Sequence, residues 1–151
     1  AGSGKSAAVA RWTGVDEVVS MDDLRAARGG RSDQRSNAEV LRTALRHLDA
    51  ALTAGRTVVW DATGINRQQR AIVHAVGARR DALVTNAVLL VPPEVVTIRN
   101  DQREHRVPAE VLRDQLHRFG PPYPAEAHRT WYVGARGIVE DVAGAVRAED
   151  P

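Results

Sequence analysis

Apolar residues fall in two rhythms along this chain. Val40, Leu41, Leu45, Leu48 and Leu52 recur every three or four positions, the spacing of one helix face. Asn37 stands where it would cap that helix, which runs to about Ala54, and Gly55 stops it. Elsewhere the apolar residues are bunched. Asp16-Glu17-Val18-Val19-Ser20, Thr57-Val58-Val59-Trp60-Asp61 and Leu83 to Val91 are short and rich in aliphatic residues, which predicts strands, the second of them buried. Helices are predicted from Ala7 to Trp12, Asp22 to Arg28, Asn66 to about Arg79, Glu94 to about Glu104, and Ala109 to Phe119. Pro108 suits the opening turn of the last. Thr130 to Val133 and Gly137 to Val139 are short strand candidates, and Gly29 to Ser36 and Gly120 to Pro124 are loops. Strands alternating with helices predict an α/β fold, a parallel sheet flanked by helices. Ligands of such sheets bind beyond the carboxyl ends of the strands. Ser20 with Asp22, and Asp61, fall at two such ends.

Composition narrows the class. The 151 residues suit one domain spanning 1–151. Hydrophobic residues make up 43% and charged residues 26%, the balance of an ordinary globular domain. With no cysteine there is no disulfide framework and no cysteine-based zinc site. No apolar run is long enough to span a bilayer and no secretory signal pattern is present, so a membrane is not an expected partner and the cytoplasm is the default compartment. The net charge of +2 is mild. Its makeup says more. Lys5 is the only lysine, so the other 20 of the 21 basic residues are arginines. That lysine sits in a glycine-rich segment where a compact ammonium is not interchangeable with a guanidinium.

Gly2-Ser3-Gly4-Lys5-Ser6 opens onto a predicted helix. Gly2 and Gly4 let the backbone around Ser3 turn its N–H groups toward one point, and the helix N-terminus adds to this cradle for phosphate oxygens. Lys5 reaches the outer phosphates as a point charge, and the Ser6 hydroxyl is the expected magnesium ligand. The alternative is a small-residue helix cap. This segment predicts the P-loop NTPase version of the α/β fold, with ATP or another NTP and magnesium (or manganese) as cofactors. The full pattern G-x-x-x-x-G-K-[ST] would put its first glycine two residues before Ala1, and a P-loop follows a buried strand. The expectation is an upstream segment carrying that strand, in a longer chain; the intact mass of the native protein checks it.

A P-loop does not say what receives the phosphate. In Ser20-Met21-Asp22-Asp23-Leu24-Arg25, a carboxylate at a strand end can orient and deprotonate a hydroxyl, and Asp22 is the choice, with Asp23 its rival. Arg25, one helical turn on, could hold a phosphate flanking that hydroxyl. The alternative is a helix cap with a surface ion pair. Asp61, ending a strand, could hold magnesium through water or position an arginine. Arg99, Arg103 and Arg106 recur at helical spacing. They fit a lid over about 94–119 whose arginines stabilise charge on the transferring phosphoryl group, with Arg99 placed among the cofactor-binding residues. Their alternative is an exposed helix paired with Asp101 and Glu104. Arg70 reads as a solvated helix charge and Trp60 as core. Trp131 and Tyr132 read as strand residues, with stacking on a base as the alternative. Arg28, Arg31 and Arg35 suit either a nucleic-acid backbone or a solvated loop. The five histidines show no metal spacing.

Taken in order, Gly2-Ser3-Gly4-Lys5-Ser6, Ser20-x-Asp22-x-x-Arg25, Trp60-Asp61-Ala62-Thr63 and Arg99-Asn100-x-x-Arg103-x-x-Arg106-x-Pro108 resemble the polynucleotide 5′-kinase domain. They are especially similar to the kinase module of bacterial end-healing enzymes that also carry phosphatase and ligase domains. The resemblance covers about residues 1 to 120. It implies that Lys5 and Ser6 serve the donor phosphates and metal, that Asp22 is the general base on a 5′-hydroxyl of RNA or DNA, and that Arg25 grips the adjacent 3′-phosphate. It also implies a lid arginine on the donor phosphates, a place that Arg103 and Arg106 both fit. Gly64 departs from the Asn that many relatives carry. Two other functions remain open: a kinase of the same fold acting on a sugar, nucleoside or antibiotic, and a nucleotide-dependent binding or switch module without transfer.

Overall fold

A computed structural model describes residues 3–30, 34–63, 66–104 and 106–146. Gly2, Arg31, Gly64 and His105 lie outside them. The chain packs as two compact units. One holds residues 13–62 and 71–82; the other holds 1–12, 63–70 and 83–151.

The first unit is built on two parallel strands, β1 (Glu17–Ser20) and β2 (Val58–Asp61), in register from Glu17 opposite Val58 to Ser20 opposite Asp61. The Asp16 carboxylate starts the pair by accepting the Thr57 N–H at 2.7 Å. Helix α2 (Met21–Ala27) follows β1 without a loop. Helix α3 (Gln34–Thr53) packs on α2 and both strands. It buries Val40, Ala44, Leu48 and Ala51; of the apolar positions read from the spacing, Val40 and Leu48 are buried, while Leu41, Leu45 and Leu52 are half-buried. Each buried Val or Leu contributes about 1.5–3 kcal/mol. Gly55, with φ +73, ends α3 as expected. The helix begins earlier than the capping pattern suggests, so Asn37 lies inside it rather than at its N-cap. Strand β2 is half-buried along its length rather than buried, because β1 is its hydrogen-bonded neighbour on one side among the described residues.

The second unit holds the five-residue helix α1 (Lys5–Val9) and three strands, β3 (Thr85–Leu89), β4 (Arg129–Val133) and β5 (Val139–Gly144). Strand β4 pairs parallel with β3 and antiparallel with β5. Strand β5 therefore starts at Val139, and Gly137 belongs to the turn before it. Helix α4 (Arg67–Arg79) contributes its first four residues to this unit and the rest to the other. Asn66 caps it by accepting the Gln69 N–H at 2.9 Å. Helices α5 (Pro93–Asp101) and α6 (Ala109–Arg118) follow β3, each entered through proline. The core contains Ala8, Val88, Val96, Leu112, Trp131 and Val133. Trp131 is buried, edge-on to Trp12 at 5.7 Å between ring centroids, with the Arg129 guanidinium over its ring at 4.7 Å. Its place is in the core, not against a base. No helix among the described residues is long and apolar enough to cross a membrane.

Candidate active site

Gly4 makes the phosphate loop possible. It precedes α1 with φ 87 and ψ 18, a left-handed conformation that costs an L-residue with a Cβ about 1–2 kcal/mol. A Cβ there would also stand 3.3 Å from Nη1 of Arg99. The chain then enters α1 at Lys5, half-buried, and Ser6, exposed. Ser3 is half-buried ahead of them. The amides of a helix's first turn have no intrahelical carbonyl to bond, so those of Lys5 and Ser6 are suited to an anion.

The turn between β4 and β5 holds this loop in place. Gly137, with φ +77, closes the turn by donating to the Gly134 carbonyl at 2.9 Å. A Cβ on Gly137 would lie 3.6 Å from Ala8 of α1, so turn and helix are in near contact. Arg11 donates to the Arg136 carbonyl at 2.7 Å and Arg99 to the Ala135 carbonyl at 2.8 Å. Arg99 is thus tied beside Gly4. Sequence reasoning placed Arg99 on the nucleotide side but missed the turn. Its acceptors are backbone carbonyls, which leave no side-chain signal.

Arg103 and Arg106 do not join Arg99. Helix α5 ends at Asp101, so the three arginines do not share one helical face as their spacing suggested. Both are exposed on the connection to α6. The physical reason is Asn100. Its side chain, in a residue only 3% exposed, donates to the Val107 carbonyl at 2.9 Å and accepts the Val107 N–H at 3.1 Å. Pro108 also disfavours helical backbone at Val107. The helix gives way to a closed loop.

In the other unit, Ser20 ends β1 and caps α2, its hydroxyl accepting the Asp23 N–H at 3.2 Å. Asp22 lies in the first turn of α2, and its carboxylate accepts a bond from Arg25 Nη1 at 2.8 Å. The Asp22 side chain is 82% exposed and that of Arg25 32%. Arg25 Nε also donates to the Asn37 side-chain oxygen at 3.3 Å. Asn37 therefore orients the guanidinium, a role that its reading as a helix cap concealed. Arg28 is bound to Glu39 and Thr43 at 2.9 and 3.1 Å. Asp61 ends β2 directly beside Ser20 in register.

Arg70 corrects another expectation. It is an inward ion pair, not a solvated charge: Nε and Nη2 bond both Glu126 oxygens at 2.8 and 2.9 Å, and Nη1 bonds the Gly120 carbonyl at 2.8 Å. The side chains are only 10% and 6% exposed. The Arg70 bonds hold the Glu126 carboxyl below its usual range, against the opposing effect of burial. The ion pair fixes the proline-rich segment after α6.

Among the described residues no group of three or more His, Cys, Asp or Glu forms a metal cage. The exposed hydroxyl of Ser6, at the start of α1, is a hard oxygen donor of the kind magnesium takes together with substrate phosphates. Asp61 is a carboxylate of the same donor class at the end of β2 in the other unit.

Residues 1–122 match the AAA domain family AAA_33. The chain is also similar to the unliganded crystal structure of a sugar kinase from Janibacter sp. HTCC2649. The two are 26% identical, the match covers 90% of this chain and 81% of that one, and the TM-score is 0.62. No curated protein matches the chain. Family and neighbour agree with the α/β architecture: the fold is P-loop kinase-like, with a parallel sheet flanked by helices.

Proposed function

The chain belongs to that AAA domain family, and from this premise we propose that it is a polynucleotide 5′-hydroxyl kinase, transferring the γ-phosphate of ATP or another NTP to a 5′-OH end of RNA or DNA in nucleic-acid repair. The kinase-type phosphotransferase fold supports the reaction class. The observation that carries the acceptor is the Asp22–Arg25 pair, a carboxylate and a guanidinium one turn apart directly after β1 and 2.8 Å from each other. An alcohol with a phosphate on its neighbouring carbon skeleton needs both groups; a simple sugar needs only the first. Asn37 supports the reading by orienting Arg25 from a second helix.

In this mechanism Lys5 binds the outer donor phosphates, with Arg99 beside the loop. Magnesium, held by Ser6 with help from Asp61, would neutralise charge on the phosphates. Asp22 takes the proton of the 5′-hydroxyl as its oxygen forms a bond to the γ-phosphorus. The bond from that phosphorus to the bridging oxygen breaks, and NDP leaves. Arg25 holds the acceptor's 3′-phosphate, and Arg103 or Arg106 stabilises the equatorial charge. Phosphatase and ligase domains in the same longer protein would suit this role.

A second reading, a small-molecule kinase, is favoured by the Janibacter neighbour, a sugar kinase. It leaves Arg25 with a structural role alone, bonded to Asp22 and Asn37. The deciding assay follows labelled γ-phosphate into a 5′-OH oligonucleotide, a 3′-NMP, a bare nucleoside and a panel of sugars. The oligonucleotide and the 3′-NMP are expected to be preferred, with that preference lost in Arg25→Ala. Preference for a sugar or a bare nucleoside rejects the polynucleotide acceptor.

A further inference from the structure

We propose that Asn100 is a positioning residue for phosphoryl transfer, setting the arginine-bearing connection between α5 and α6 through its two bonds to Val107. The inference rests on the phosphotransferase reading above and adds a residue to it. A primary amide has donor and acceptor on one rigid plane. At Asn100 both are used on the same peptide partner, the N–H and the carbonyl of Val107. That is the bonding of one rung of a β-ladder, made by a side chain. The Asn100 carbonyl meanwhile accepts the Arg103 N–H at 3.2 Å. One buried residue thus ties down the backbone of Arg103 directly, and that of Arg106 through its neighbour Val107.

The arginines themselves need this support. No hydrogen bond or ion pair among the described residues holds the guanidinium of Arg103 or Arg106, and both residues are exposed. Their reach is decided by the backbone that carries them. Asn100 is buried, with its side-chain nitrogen and oxygen both engaged by Val107. Its effect on chemistry passes entirely through the segment it closes.

The test is a mutant cycle in the full-length protein, read on whichever acceptor the unsubstituted enzyme phosphorylates. Asn100→Ala is expected to lower kcat about 10- to 100-fold, the scale of an ångström-sized misplacement, with KM for NTP moving less. In an Arg103→Ala/Arg106→Ala background the same substitution is expected to change kcat by less than about twofold, because what it positions is gone. Asn100→Asp keeps the size and the acceptor for the Val107 N–H but sets an anion against the Val107 carbonyl. It goes through the same cycle and is the variant read if Asn100→Ala does not fold. Hydrogen exchange gives a readout apart from activity: the Val107 amide is expected to be protected in the unsubstituted protein and unprotected in Asn100→Ala. Equal losses of kcat in both backgrounds overturn the positioning role, as does a Val107 amide that exchanges freely from the start. Failure of the kinase reading shows instead in the unsubstituted protein, as no transfer to any acceptor; the role in transfer then falls with it, and exchange still reads the clamp.

Discussion

Replacing Arg70 by methionine removes a buried cation while keeping most of its apolar stem. Two groups lose partners: the Glu126 carboxylate, bonded through both oxygens, and the Gly120 carbonyl. The carboxylate has an escape, since it can take a proton. From its ordinary value of 4.5, neutralising it at pH 7 costs about 3.4 kcal/mol, 2.5 pH units at about 1.36 kcal/mol each. The orphaned carbonyl adds about 1–3 kcal/mol unless water reaches it. The expected loss is therefore about 3–6 kcal/mol, overlapping the roughly 3–5 kcal/mol found when one partner of a buried pair is removed. This is a large part of the roughly 5–15 kcal/mol that a domain possesses. The pH dependence carries a sign. In the unsubstituted protein the folded carboxyl lies below 4.5, so its contribution is complete above that pH and is lost only on further acidification. In Arg70→Met the folded carboxyl lies above its unfolded value, so the deficit shrinks as pH falls from 7 toward 4.5. Urea unfolding followed by circular dichroism at pH 7, 6 and 5 measures both. Arg70→Met/Glu126→Leu, with no charge left to bury, should regain most of the loss. A deficit below about 1 kcal/mol, or one that does not narrow with acid, would refute the account of Arg70 as a buried, paired cation.

Three further outcomes are expected. Asp22→Ala should lower transfer about 10²- to 10⁴-fold, the range of a general base, with NTP affinity by calorimetry unchanged; joint loss of both marks the residue as structural. Gly4→Ala forces a Cβ into the left-handed region beside Arg99 and should weaken NTP binding at least about tenfold, equivalent to about 1.4 kcal/mol, while costing about 1–2 kcal/mol of stability; calorimetry and denaturant titration measure the two. Ser20→Ala removes the cap of α2 and should cost about 1 kcal/mol of stability, checked by denaturant titration alongside the KM for acceptor.

The elements most legible in the sequence were those whose evidence is local. The face of α3 follows from Val40 and Leu48 recurring at helical spacing, and Pro108 and Asn66 mark the starts of α6 and α4 because proline and asparagine act within one turn. Partners far apart in sequence were illegible. Arg70 meets Glu126 56 residues later, and nothing about either residue alone announces the other. Asn37 and Asn100 show the same limit. Each can be read as a residue bonding its own backbone, yet one orients Arg25 and the other closes a loop onto Val107. The arginine spacing of 99, 103 and 106 misled because periodicity assumes the helix continues, and a side chain ended it. At the candidate site, the residue types at Gly4, Lys5, Asp22 and Arg25 were visible, while the β4–β5 turn against α1 was not.

That turn reaches the phosphate loop through the oxygens of Ala135 and Arg136, atoms that every amino acid carries. Substitution at these two positions leaves both contacts in place, so divergence there between related enzymes is compatible with an unchanged grip, and a conventional alanine survey would pass over them. What the grip cannot absorb is a change in chain length: one residue inserted between Gly134 and Gly137 would carry both oxygens away from their arginines.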